Sequence, residues 1–232
     1  MSVVVVPGYQ IPPSCYSALA HTTEAEIIHV DDATTISGSA QALLARLSSS
    51  KKQEVVLLGH SRGGAVAVAA AAAPHTPVCG LILIDPVDDD ATSTLLSSAA
   101  LVACPVLILS TPYAGASSYY RKPYVSVCAP AGRNADTFFD RLKNRTASTT
   151  LVVLPKLGHL ALLDDSAAQS LPTANLCGPA VNRARIGTND EERALKARVL
   201  RLIAEFASSR GEQRDVEELG RQIDNDVLIY SS

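Results

Sequence analysis

The segment from Glu54 to Ala73, "EVVLLGHSRGGAVAVAAAAA", constrains the fold most. An apolar, β-branched run passes through a serine flanked by glycines straight into an alanine-rich stretch, so a buried strand must turn abruptly into a helix. The same rhythm repeats along the chain. Strands are predicted at Val3–Val6, Glu26–Val30, Glu54–Leu58, Leu81–Ile84, Val106–Ser110 and Leu151–Leu154, with helical patterns around 14–20, 38–48, 62–73, 91–101, 135–143 and 190–208. Short strands that are apolar on both faces and alternate with helices imply an α/β fold, a mostly parallel sheet of about six strands flanked by helices. The last helix carries apolar residues at 195, 199, 202, 203 and 206 and acidic residues at its start, the pattern of a helix lying on a sheet.

Size and charge narrow the function. At 232 residues, 1–232 reads as one domain. A net charge of −3 provides no basic stripe for phosphates, so nucleic acid is not expected as a partner. No apolar run reaches the roughly 20 residues of a membrane span, and "MSVVVVPGYQ" enters a strand too early for a secretory signal. The five cysteines, Cys15, Cys79, Cys104, Cys128 and Cys177, show no CxxC spacing and read best as free thiols, with a Cys128–Cys177 bridge as the alternative. Asp88-Asp89-Asp90 and Asp164-Asp165 lack the spacing of a calcium loop and are read as solvated or helix-start carboxylates, so neither a metal nor another cofactor is expected.

Gly59-His60-Ser61-Arg62-Gly63 matches G-x-S-x-G between a strand and a helix, the setting of a nucleophile elbow. A serine hydroxyl needs a base and a group that orients the base. Of the five histidines, His21 and His29 flank an early strand, His60 lies inside the elbow with its side chain directed away from Ser61, and His75 ends the alanine helix. His159 follows a late strand in a loop opened by Gly158, and the chain order serine, acid, histidine places the base there. Asp85, at the end of the strand after the elbow helix, is the first choice of acid, and Asp88 is the alternative. The oxyanion donors expected are the N–H of Arg62 and an N–H of Tyr9 or Gln10, with Gly8 allowing close approach.

These residues resemble the chlorophyllases, plastid α/β-hydrolases of plants and algae. The resemblance rests on "GHSRGG" at 59–64, "DPVD" at 85–88, "CAPAGRNADTFF" at 128–139 and "GHLALLDD" at 158–165. It implies the α/β-hydrolase fold and a cofactor-free serine carboxylesterase that cleaves the phytyl ester of chlorophyll. Its triad would fall on Ser61, Asp85 and His159. It also implies a chloroplast location, a lipophilic chlorophyll-like substrate and association with a membrane surface. Set against this family, Val3–Val6 would be the third strand of the full fold, and "PGYQ" stands where a His-Gly-Phe oxyanion loop is usual. The segment 111–134 holds Tyr113, Tyr119, Tyr120 and Tyr124, which either rim a substrate cleft, as part of a lid, or pack the loop on its own domain.

Overall fold

A computed structural model describes residues 1–31, 34–88, 95, 102–111, 132–164, 190–209, 223 and 227–232. Four parts of the sequence reading lie outside these residues: the helix at 91–101 apart from Leu95, the tyrosines of 111–134, the Cys128–Cys177 pair, and Asp89, Asp90 and Asp165. Cys15, Cys79 and Cys104 are free thiols.

The strands are β1 (Ser2–Val6), β2 (Glu26–Ile27), β3 (Val55–His60), β4 (Val78–Ile84), β5 (Val106–Ser110), β6 (Thr149–Val153) and β7 (Leu228–Ser231). They form one seven-stranded sheet in the order β2-β1-β3-β4-β5-β6-β7, parallel except for the antiparallel β6–β7 pair. The sheet thus gains β7, which the sequence reading did not identify. The strand expected at Glu26–Val30 pairs only over Glu26 and Ile27.

The two-sided apolar character of the strands is met by two cores. Val3, Val5, Val56, Leu58, Ile82, Ile84, Leu107 and Leu109 face one way. Over them lie α1 (Ser17–Thr23), preceded by a 3-10 turn at Pro13–Tyr16, and α5 (Asp190–Ser208). Val4, Val6, Val55, Leu57, Leu81 and Leu83 face the other way, against α2 (Ile36–Ser49), α3 (Arg62–Ala71) and α4 (Ala135–Leu142). Five side chains of α5, Leu195, Val199, Leu202, Ile203 and Phe206, are buried, as its period predicts. At roughly 2 kcal/mol for each large apolar side chain buried, that face outweighs the solvent-screened Arg201–Glu205 pair on its exposed side. No described helix is long and apolar enough to cross a membrane.

Helix starts follow local rules. The Thr35 hydroxyl caps α2 through the Gly38 N–H at 3.1 Å. Asn134 caps α4 through the Thr137 N–H. The short α1 has no cap from its own neighbours. Its start is capped instead by Asp164, whose carboxylate accepts from the Ser17 N–H at 3.0 Å and the Ala18 N–H at 2.9 Å. Of the two readings of that carboxylate, solvated or helix-start, the structure shows the second, at a helix far away in sequence.

Candidate active site

The elbow is built by steric exclusion. A Cβ at Gly59 would overlap the Gly63 carbonyl, and one at Gly63 would overlap the carbonyl oxygens of Val6 and Pro7. Only glycine allows α3 to pack this closely on β3 and on the end of β1. Between them Ser61 adopts φ 54° and ψ −126°, a region that costs a non-glycine residue about 1–3 kcal/mol. Its backbone is held in place: the Ser61 N–H donates to the Ile84 carbonyl at 2.9 Å, and the Ser61 carbonyl accepts from Gly64 at 2.9 Å and Val87 at 3.0 Å. Arg62 opens α3, so its N–H lies in the first turn, where the helix dipole favours negative charge.

The structure brings Asp85 and His159 together. Asp85 follows β4 at φ 41°, its N–H donating to the Leu109 carbonyl at 2.7 Å. One carboxylate oxygen meets His159 Nδ1 at 2.5 Å and the other accepts from the Thr111 N–H at 3.2 Å. Both side chains are almost fully buried. The main chain of Asp88, the alternative acid, is tied to Arg133: its N–H donates to the Arg133 carbonyl at 3.0 Å and its carbonyl accepts from Arg133 Nη1. Among the described residues, Ser61 Oγ and His159 Nε2 share no hydrogen bond; catalytic contacts often close only around a bound substrate.

The loop after β1 lies against the elbow, with an added Gly8 Cβ only 3.0 Å from Ser61 Cβ. The Gly8 N–H is already used, donating to Tyr16 Oη at 2.8 Å. Gln10 sits at φ 54° and its side chain reaches Tyr9 Oη at 3.3 Å; Tyr9 is exposed. The Arg62 guanidinium, whose purpose the sequence leaves open, is buried and donates to the Thr34 carbonyl and to Ser39 Oγ. It pins the start of α2 to the elbow helix.

His159 lies in a chain of tight turns, with Leu157 N–H to the Leu154 carbonyl, Ala161 to Gly158 and Leu163 to Leu160. Leu157, Leu160, Ala161, Leu162 and Leu163 are all buried, so the loop is packed into the core. It is held further by Asp164 on α1, by the Asp164 N–H on the Cys15 carbonyl at 2.8 Å, and by Lys196 Nζ on the Leu163 carbonyl.

His60 is the residue the sequence undervalued. Strand alternation places it on the face of Val56 and Leu58, where Nδ1 is 2.8 Å from Tyr16 Oη and Nε2 is 2.8 Å from the His159 carbonyl. Its ring lies 4.8 Å from that of His159. Burial, reinforced by the nearness of His159, lowers its pKa from 6.5 to about 3, against the opposing pull of its hydrogen bond to the His159 carbonyl. His75 lies beyond α3 in a turn at φ 55°, outside this constellation.

Comparison with solved structures gives the fold a name. A YdeN-like hydrolase from Pectobacterium atrosepticum superposes with a TM-score of 0.53 at 15% identity, covering 90% of this chain and 91% of the other. The α/β hydrolase MGS-MChE2, from a sediment metagenome of the Mar Chica lagoon in Morocco, gives 0.52 at 15% identity, covering 70% and 84%. Mouse alpha/beta hydrolase domain-containing protein 10 gives 0.51 at 14%, covering 72% and 84%. No curated protein matches the chain in sequence. At these identities the likeness establishes the α/β-hydrolase fold alone. The family comes from the sequence itself: residues 3–190, which run from β1 through the elbow, Asp85 and His159 to the start of α5, match the chlorophyllase family model, and the chain belongs to the chlorophyllase family.

Proposed function

We propose that the protein is a serine carboxylesterase acting on the phytyl ester of chlorophyll, with Ser61 as nucleophile, His159 as general base and Asp85 as the group that orients it. The observation that carries this reading is the buried Asp85–His159 contact at the same sheet edge as the strained elbow serine. Family membership supports the hydrolase class and suggests the pigment substrate and a plastid location.

In this scheme the Asp85 carboxylate, held by the Thr111 N–H, keeps His159 in the tautomer whose Nδ1 carries hydrogen, leaving Nε2 free to take the Ser61 proton. The serine oxygen adds to the ester carbonyl. The oxyanion is received by the Arg62 N–H and by an N–H of Tyr9 or Gln10, since that of Gly8 is committed to Tyr16. His159 returns the proton to the departing phytol. Water then attacks the acyl-enzyme by the same route and releases the acid, chlorophyllide.

The test is incubation of the full chain and of Ser61→Ala with chlorophyll a, followed by pigment separation. Chlorophyllide from the wild type and none from the variant is the expected result. Equal turnover by Ser61→Ala would falsify the assignment of the nucleophile. Hydrolysis of p-nitrophenyl esters without chlorophyllide would move the substrate to other lipid esters with the triad unchanged.

A further inference from the structure

The second imidazole of the site takes no part in the scheme above, yet its surroundings dictate its hydrogen-bonding state. His60 is 1% exposed, and each ring nitrogen has one partner at 2.8 Å. A carbonyl oxygen can only accept, so Nε2, which faces the His159 carbonyl, carries the hydrogen. In the neutral ring Nδ1 is then an acceptor, so the Tyr16 O–H donates to it. Tyr16 Oη keeps a lone pair, and the Gly8 N–H fills it at 2.8 Å. The three bonds run in one direction, and reversing any one of them would set two donors or two acceptors face to face.

The ends of this relay matter. Gly8 belongs to the loop that would supply the second oxyanion donor, and His159 is the proposed base. Their loops leave β1 and β6, which are separated in the sheet by β3, β4 and β5, so strand pairing does not by itself set the spacing of the two loops. His60, at the end of β3 between them, reaches the His159 loop directly and the Gly8 loop through Tyr16.

We propose that Tyr16 and His60 are positioning residues, which fix the oxyanion loop and the His159 loop at one mutual spacing across Ser61 through the Gly8–Tyr16–His60–His159 hydrogen-bond relay. This role rests on the esterase reading. Its physical basis is that a misplacement of about 1 Å in a reacting constellation costs on the order of 10²-fold in rate. A glutamine at position 60 keeps an N–H donor near the place of Nε2; a leucine fills similar space with none.

The experiment compares wild type, His60→Gln, His60→Leu and Tyr16→Phe in the full chain, each verified as folded by its melting transition. p-Nitrophenyl ester kinetics and fluorophosphonate labelling of Ser61 are the readouts. His60→Leu and Tyr16→Phe are expected to lower kcat about 10²-fold with KM within about twofold, and His60→Gln to recover most of the loss. Folded His60→Leu with wild-type kcat, or equal losses in the Leu and Gln variants, would overturn the role. Should His60→Leu not fold, nitrogen NMR of the wild-type imidazoles decides: His60 must hold its hydrogen on Nε2 and stay neutral from pH 8 to 5, and a hydrogen on Nδ1 overturns the relay. A wild type that neither labels at Ser61 nor hydrolyses any ester removes the esterase reading and this role with it. An active wild type with indifferent variants removes the role alone.

Discussion

The elbow at 59–64 and the His159 loop at 155–164 are held by opposite means. The elbow is fixed by the backbone, because glycines sit where any side chain would collide with main-chain atoms and the serine is forced into its strained conformation. The His159 loop is fixed by many separate attachments: five buried apolar residues, a carboxylate on a distant helix start, a lysine on a carbonyl and an imidazole from β3. A structure made by exclusion fails as a whole. One made by dispersed attachments fails by degrees.

The largest expected effect tests the contact that orients the imidazole of the His159 loop toward the elbow. Asp85→Asn keeps the shape of the acid but inverts the hydrogen-bonding sense at His159 Nδ1, and kcat for ester hydrolysis is expected to fall about 10⁴-fold with little change in melting temperature. Next comes the elbow. Gly63→Ala sets a Cβ against the carbonyl oxygens of Val6, the last β1 residue paired with β3, and of Pro7, and urea unfolding should show a loss of about 4 kcal/mol or more. If the loss is under about 1 kcal/mol, the contrast between the two regions is wrong.

The His159 side of the contrast predicts smaller, graded changes. His60 has a folded pKa of about 3, below the 6.5 of the unfolded chain, so the unfolded state takes up a proton first as pH falls. The stability held above pH 6.5 is therefore lost progressively between 6.5 and 3. Between pH 7 and 5 the wild type should lose about 2 kcal/mol more than His60→Gln, as read from urea titrations at each pH. Parallel pH curves for the two proteins would show that His60 does not stay neutral. Asp164→Ala removes only the cap of α1, so a loss of about 1 kcal/mol, a melting shift of roughly 2–4 °C, is expected.

The same contrast explains what could be read from sequence. Ser61 and its glycines are written contiguously, because the strand, turn and helix that make the elbow are consecutive. Asp85 and His159 were legible because each follows a strand, and strand ends are local features that the parallel topology gathers at one edge. Asp85 was the first choice over Asp88, with two loop residues between them, from its place at the strand end, and its contact with the imidazole is what the coordinates add. Tyr16 carried no local signal, and Asp164 none that named the helix it caps. A tyrosine before a short helix and the first of two aspartates in "LLDD" look like surface chemistry until a partner far along the chain arrives. The strand β7 had a weak signal in "LIYS", four residues at the sheet edge whose pairing is specified almost wholly by β6. The side chain of Arg62 was opaque for the same reason, because its partners Thr34 and Ser39 lie in a different βα unit.

The close seat of Gly63 on the Val6 and Pro7 carbonyls has a meaning in time as well as in space. Helix α3 can form from its own residues, but the turn before it has nothing to press against until β1 has zipped onto β3, with Val6 opposite Gly59. Such pairing between distant segments is slow relative to local helix formation. During refolding, reactivity of Ser61 toward a covalent serine probe should therefore lag the recovery of helical signal and track completion of the parallel sheet, making the nucleophile a reporter of finished topology.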